Sequence, residues 1–396
     1  MKTRFQVAAA VATSFGLFSG TSHGERVTTG SVVCFGLGRG VNEHEYDFGQ
    51  SRVPLGLGPC TSVAAGGFHS VAMTQAGAIQ VWGANYYGQL SVPGDAMPAR
   101  EVVCGVNHTV ALTTSGNVVA WGMNIQGQCA VPEDLGACMA IGAGGIHSLA
   151  VRSNGQILGW GFNMNGQASP PSQLVAVAVA GMYLASAALT EHGMVVVWGN
   201  CPPLKDVGPF VGLTATPWSD RIVALRPDGS VASNYSWSGI PEGSGPFVEV
   251  RSYGTHSLGV EIDGDIVAWG GNNWSQTTIP ANACDGLGIA AGYGHSIALM
   301  RDSDIDQICD SLDACPSEPG IANTTVLQCN GCPLAASRSC LLAYGDLNAD
   351  RTIGGEDLGI MLASWGSEDM AGDLNVDRII DGADLGILLS RWGACP

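Results

Sequence analysis

The chain has 396 residues, enough for two to three domains. Hydrophobic residues make up 46% and charged residues only 13%, which excludes a mainly disordered chain, and the 57 glycines follow no three-residue period, which excludes a collagen-like one. The formal net charge is −18, and residues 302–396, with 16 acidic and 4 basic side chains, hold two-thirds of it; such a balance argues against nucleic acid and anionic membranes as partners.

Met1-Lys2-Thr3-Arg4 opens the chain and precedes an apolar, small-residue run from Phe5 to Gly20. Ser22-His23-Gly24 then supplies small residues suited to signal peptidase. The pattern is that of a secretory signal peptide over residues 1–24, so a secreted, extracellular or cell-surface location is expected. No later run reaches the ~18 apolar residues of a membrane span. In an exported chain, the 13 cysteines point to disulfides rather than metal thiolates. Cys329-x-x-Cys332 lacks the second pair that a zinc finger needs.

From residue 30 to 301 the chain repeats itself. His69-Ser70, His108-Thr109 and His147-Ser148 are 39 residues apart, as are His256-Ser257 and His295-Ser296. Trp82-Gly83, Trp121-Gly122, Trp160-Gly161 and Trp269-Gly270 each lie 13 residues beyond their histidine. Two degenerate copies fill the gap, with Ala185 and Arg221 in the His position and Asn234 in the second Trp position. Between the halves stands a turn glycine such as Gly155 or Gly229, often after Asn or Asp, flanked by alternating apolar stretches; each unit is therefore a β-hairpin plus an extended piece ending near a proline such as Pro93, Pro132 or Pro280. The His half occurs seven times and the Trp half seven times, but the chain starts with an orphan Trp half (Phe35-Gly36) and ends with an orphan His half (His295). A closed ring explains this: residues 30–36 are expected to pair with the strand from His295 to Met300.

These units resemble the regulator-of-chromosome-condensation repeat family, and their short period is similar to the compact bacterial branch that includes a propeller-type β-lactamase inhibitor. The resemblance implies an all-β, seven-bladed β-propeller of about 39-residue blades over residues 25–301. The repeated His and Trp-Gly read as structural, with tryptophan filling the space between blades. Two variable regions stand out as partner-facing. One is the degenerate stretch 181–250, with Pro202-Pro203, Trp218, Arg221, Tyr235 and Trp237; the other is the insert around Arg39–Tyr46. His44 between Glu43 and Glu45 reads as a solvated loop. The carboxylates Asp220, Asp228, Glu249, Glu261, Asp263 and Asp265 are expected mostly at turns. No nucleophile elbow, P-loop or H-E-x-x-H is present.

The acidic tail is ordered in its spacing. Asp302, Asp304, Asp306, Asp310 and Asp313 alternate around Cys309 and Cys315, resembling a thrombospondin type 3 calcium stretch within a cysteine-rich connector over 302–343. Over 344–396 two loops follow, 27 residues apart: Asp346, Asn348, Asp350, Thr352 and Asp357, then Asp373, Asn375, Asp377, Ile379, Asp381 and Asp384. Oxygen donors at positions 1, 3, 5 and 12, with a backbone carbonyl at 7, suit Ca²⁺. Each loop leads into an apolar helical pattern, Leu358, Met361, Leu362 and Trp365, then Leu385, Leu388, Leu389 and Trp392. The pair resembles the duplicated F-hand of type I dockerin modules, a small α calcium-binding domain whose family partner is a cohesin. Cys340 and Cys395 flank it and are expected to form a disulfide.

The expected function is non-catalytic binding by a secreted monomer, with the propeller as recognition head, the dockerin-like module as calcium-dependent attachment, and a protein (cohesin-like or cell-surface) or polysaccharide as partner. One alternative is a polysaccharide-degrading component, a hydrolase acting on O-glycosyl bonds. Another, implied by the bacterial resemblance, is an inhibitor of a secreted enzyme.

Overall fold

The computed structural model describes residues 29–38, 45–206, 208–234 and 239–302, together with 352–353, 358, 361–362, 385 and 393–394. The chain divides into two units, Met1–Arg301 and Asp302–Pro396. The first opens with β1 (Gly30–Gly36). Antiparallel strand triplets follow: β2 (Cys60–Ala65), β3 (His69–Thr74) and β4 (Ile79–Gly83), which the pair Gly30↔Cys60 joins to β1 in a six-stranded sheet with the last two strands of the unit; then the separate sheets of β5 (Ala99–Cys104), β6 (His108–Thr113) and β7 (Val118–Gly122), and of β8 (Cys138–Ala143), β9 (His147–Arg152) and β10 (Ile157–Gly161). Next come β11 (Ala178–Gly181), β12 (Ala185–Leu189) and β13 (Val195–Gly199); β14 (Gly212–Ala215), β15 (Ile222–Leu225) and β16 (Val231–Ser233); β17 (Phe247–Tyr253), β18 (His256–Glu261) and β19 (Ile266–Gly270). β20 (Gly286–Ala291) and β21 (His295–Arg301) end the unit.

The two orphan half-repeats do meet. β1 pairs antiparallel with β21 from Gly30↔Arg301 to Gly36↔His295. The same His↔Gly register recurs at His69↔Gly83, His108↔Gly122, His147↔Gly161 and His256↔Gly270. β1 therefore takes the third-strand place in the sheet of β20 and β21. The inner strands β2, β5, β8, β11, β14, β17 and β20 each touch the next, and β20 touches β2, so the circle is complete. Closure leaves no end sheet with a bare face. Pro93, Pro132 and Pro280 do not end the extended pieces; each starts a turn, its carbonyl accepting from Ala96, Leu135 or Ala283 N–H. The inner strand begins only after that turn.

The tryptophans fill the seams between sheets, as expected. Trp121 packs with Val71, Met73, Ile79 and Ala96 of the preceding repeat and with Val102 and Ala111 of its own. Trp160 does the same against Val110, Leu112 and Leu135. The expectation of disulfides among the ring cysteines fails for Cys60, Cys104, Cys129, Cys138 and Cys201, which are free thiols. The reason is local. Cys60 and Cys138 open inner strands where β5 has Ala99, and Cys104 ends one where its neighbours have Ala65 and Ala143, so each serves as a small apolar side chain. Burial pushes Cys60 up to about 11 and Cys104 up to about 12, which leaves both thiols protonated and unreactive. Cys284 is disulfide-bonded.

A circuit of buried hydrogen bonds explains the repeated motif. Ser70, Ser148, Ser186 and Ser296 Oγ donate to the carbonyls of Gln50, Gln128, Gln167 and Gln276 at 2.7, 2.8, 2.9 and 2.7 Å. Their single proton is thus committed. The imidazole Nε2–H of the preceding sheet must donate to them: His295 to Ser70 at 3.0 Å, His108 to Ser148 at 3.1 Å, His147 to Ser186 at 2.7 Å and His256 to Ser296 at 3.0 Å. His69 Nε2 lies 3.0 Å from Thr109 Oγ1 in the same way. The same glutamine carbonyls accept the indole N–H of Trp82, Trp160 and Trp198 at 3.0, 3.0 and 2.9 Å. Each His-Ser, Trp-Gly and Gly-Gln of the motif is one contact of a clasp between neighbouring sheets. The first glycine of G-x-x-H has its own reason: a Cβ at Gly105 would lie 2.2 Å from His108 Cε1. Burial pushes His69, His147 and His295 down to about 3 and His108 and His256 down to about 4, so all five rings are neutral.

In the second unit, β22 (Thr352–Ile353) pairs antiparallel with β23 (Gly393–Ala394). Leu358, Met361, Leu362 and Leu385 are helical, and Met361 is buried.

Candidate functional site

The turns before each histidine and the loops after each Trp-Gly emerge at one end of the ring, because the register sets His69 opposite Gly83 and its counterparts likewise. The motif leaves two or three positions free in these loops, and there the chain carries aromatics. Phe68 is one centre. Tyr46 stacks on it at 5.4 Å, Phe48 meets it edge-on at 5.6 Å, and Tyr293 lies at 5.2 Å. Phe48 in turn meets Tyr86 edge-on at 5.2 Å. Tyr293 is the second centre, with Trp218 at 5.3 Å and Trp274 at 5.4 Å; Trp218 reaches Tyr183 at 6.3 Å. Eight rings thus form one connected patch. Tyr86 is 75% exposed and Trp218 44%, and the Tyr86 position is filled in the next two repeats by Ile125 and Met164, at 73% and 86%. Ring–ring contacts of this kind contribute about 0.5–1.5 kcal/mol each and hold the side chains in place before any partner arrives.

Trp218 owes its position to the degenerate repeat. Thr216 Oγ1 donates to Ser219 O at 2.8 Å and closes a tight turn, in which Pro217 is buried and Trp218 is left outside. The preceding sheet has Ala185 in place of histidine, so it lacks the imidazole clasp. Asp220 supplies another, accepting the Leu184 N–H at 2.8 Å. Asn234, in the Trp position, donates to the Asp220 carbonyl at 2.9 Å and accepts from Ile222 N–H at 2.9 Å. The lost motif residues are replaced by a different set of bonds.

Beneath the patch a cavity of about 510 Å³ runs between the inner strands. Pro217 and Tyr253 line one end, and Arg226, Pro227 and the half-exposed Val248 line the other. Backbone bonds from turn to turn tighten the first end: Tyr293 N–H to Gly67 O, Gly67 to Val106, Val106 to Gly145 and Gly145 to Met182. Among apolar walls the cavity holds Glu101, Glu249 and Arg251.

Of the variable positions singled out in the sequence, Tyr46 and Trp218 both belong to the patch. Arg221, Pro202 and Pro203 are exposed in the same repeat. Tyr235, Trp237 and His44 lie outside the described residues. The expectation that ring carboxylates sit at turns fails for Glu249, which stands in β17 and lines the cavity. Glu261, Asp263 and Asp265 do cluster at the β18–β19 turn, where Glu261 Oε1 accepts the Gly245 N–H at 2.6 Å. Of the expected calcium ligands, Asp302 is buried directly after β21 and Thr352 lies in β22. The remaining ligands, with Cys340 and Cys395, lie outside the described residues. Sequence reading missed Phe48, Phe68, Tyr86, Tyr183, Trp274, Tyr293 and Glu101. The available signal was an aromatic or charged side chain at a position the motif leaves open.

Residues 60–89 and 99–128 match the regulator of chromosome condensation (RCC1) repeat. The ring has the fold of an RCC1-type propeller. Yeast RCC1 (Prp20), in its complex with Kap60, is similar at a TM-score of 0.56 and 14% identity over 72% of this chain and 94% of that one. Prp20p from Saccharomyces cerevisiae gives a TM-score of 0.55 at 15% identity, over 68% of this chain and 91% of that one. Human WBSCR16 gives 0.53 at 18% identity, over 69% of this chain and 99% of that one. At these identities the likeness concerns the fold. No curated protein matches the sequence significantly. Among the described residues, no helix is long and apolar enough to cross a membrane.

Proposed function

We propose that the chain is a non-catalytic binding protein whose seven-bladed propeller recognises a protein through the aromatic patch. The observation that carries this reading is the continuous surface of Tyr46, Tyr86, Trp218 and Tyr293, extended around the same end by Ile125 and Met164. Exposed tyrosine, tryptophan and methionine in one preorganised patch suit a protein interface, where such residues are enriched. The RCC1-type neighbours support an interaction role at the level of the fold, one of them having been crystallised bound to Kap60. The polysaccharide-degrading alternative fits less well. Glu101 and Glu249 both line the cavity, but Glu249 is paired with Arg251 at 2.7 Å and the walls around them are apolar. In the partner complex, Trp218→Ala is expected to weaken binding about tenfold or more, with an unchanged melting curve. Surface plasmon resonance beside calorimetry checks both halves.

The second unit is, in this reading, the attachment module of a secreted chain. The donor set of its two loops is all hard oxygen, which fits Ca²⁺ and not a soft metal. Each loop gathers several carboxylates, among them Asp346, Asp350 and Asp357, whose mutual repulsion a cation would relieve. A ~50-residue domain has little core to oppose such repulsion. Limited proteolysis of the full chain is expected to cut within residues 344–396 in EDTA and to spare them in Ca²⁺, with the propeller resistant in both. Identical digestion patterns would count against metal loops.

A further inference from the structure

We infer that the propeller cavity is a binding site for a small organic cation, an ammonium or amidinium with an apolar body, and that Glu101 is its counter-ion.

The inner strands share an irregularity. Pairing slips between Ala99 and Glu101 in β5 and between Phe247 and Glu249 in β17, as it does at the matching points of β2, β8 and β20. A bulge re-aims the side chain that follows it. At this position the other strands carry Ser62, Ala140 and Gly288, and only Glu101 and Glu249 among these bring a charge to the cavity. Their circumstances differ. Glu249 is compensated, with its Oε1 2.7 Å from Arg251 Nη2. Glu101 is not. The residue is 7% exposed, and its Oε2 is buried without a hydrogen-bond partner. The nearest cations are otherwise engaged: Arg251 by Glu249, and Arg100 by the Cys138 carbonyl, to which its Nη2 donates at 2.8 Å.

A buried acceptor without a partner costs about 1–3 kcal/mol, more if charged. A molecule that brings a donor to Oε2 recovers that cost. An anion has no free partner here, because both guanidinium groups lining the cavity are paired, Arg251 with Glu249 and Arg226 with Asp206. A divalent metal is disfavoured by those same guanidinium groups. A cation of moderate size suits both the charge and the walls, which include Val102, Ile141, Val179 and Leu213. The volume of about 510 Å³ lies in the range of small-molecule sites. Burial holds the Glu101 carboxyl up at about 8, so it is mostly protonated at neutral pH and would ionise on meeting a cation. Binding at pH 7 should therefore release close to one proton.

The test is titration calorimetry of the full chain with benzylamine and n-butylamine, with benzyl alcohol as the neutral control. Runs in two buffers of different ionisation enthalpy count the protons released. Saturable millimolar or tighter binding of an amine, release of a proton, and silence with benzyl alcohol are expected. Glu101→Gln mimics the neutral acid in shape and should keep the melting temperature while weakening amine binding about tenfold or more and abolishing proton release. Ile262→Ser, at the exposed β18–β19 turn, should leave amine binding unchanged. No saturable binding of either amine to the wild-type chain, equal binding of the alcohol, or undiminished binding to Glu101→Gln would overturn the inference.

Discussion

Deleting residues 25–36 is expected to open the whole propeller rather than fray one end. β1 contributes every register pair from Gly30↔Arg301 to Gly36↔His295, and its Val32, Cys34 and Phe35 are buried. Without it, β21 becomes a bare edge beside β2, and the seam that holds Cys60, Val63, Trp82 and Ile297 loses one wall. Truncating large buried residues costs about 2–5 kcal/mol each. In a propeller of this size, 1 kcal/mol shifts melting by about 2–4 °C, so a fall of at least about 10 °C is expected. Calorimetry of the shortened and full chains checks it. An unchanged melting curve would mean that the clasp between His295 and Ser70 closes the ring unaided.

Acid should unfold the propeller over a window set by its five clasp histidines. Their folded values are about 3 to 4, while the ordinary value is 6.5. The unfolded chain therefore binds more protons as pH falls below 6.5, and stability is progressively lost from there toward pH 4. Each neutral ring contributes a slope of about 1.4 kcal/mol per pH unit. Two buried carboxyls act in the opposite sense. Glu101 stands at about 8 and Glu249 is raised by burial, so both favour the folded state as pH falls toward their ordinary value of 4.5. The five rings outweigh the two carboxyls, so a net loss on the order of 10 kcal/mol is expected between pH 6.5 and 4.5. Against a typical stability of about 5–15 kcal/mol, the propeller should be unfolded by roughly pH 4. Denaturant melts across that range measure the slope, and His108→Gln, which keeps a donor for Ser148 but cannot titrate, should reduce it by about 1.4 kcal/mol per unit. A stability independent of pH from 7 to 5 would show that the rings are not buried neutral.

The ring was legible in the sequence because each motif residue makes one bond of the inter-sheet clasp, and the clasp must recur wherever two sheets meet. His69, Trp82 and Gln89 recur at fixed spacing for that reason, and the orphan halves announced the closing pair. The patch was legible only in part. Tyr46 and Trp218 stand in regions that break the repeat, so they drew notice, whereas Phe68 and Tyr293 stand inside intact repeats at positions where any side chain fits. Their meeting depends on ring curvature, which no spacing records. Glu101 was hidden for a related reason: the bulge that aims it into the cavity leaves no trace in composition, and an isolated Glu in a strand reads as a surface charge. The ring cysteines misled because their number pointed to disulfides, whereas Cys60 and Cys104 stand where other repeats have alanine.

The claim that the patch is the recognition surface is tested most directly by comparing the two ends of the propeller. The full chain, a patch variant carrying Trp218→Ser, Ile125→Ser and Met164→Ser, and a control carrying Ile262→Ser are screened together on protein and glycan arrays. Ile262 is 64% exposed at the β18–β19 turn, at the other end of its sheet. Protein ligands that the control retains and the patch variant loses about tenfold or more are expected, with equal melting temperatures for all three. Ligands lost through Ile262→Ser and kept by the patch variant, or binding confined to glycans, would contradict it.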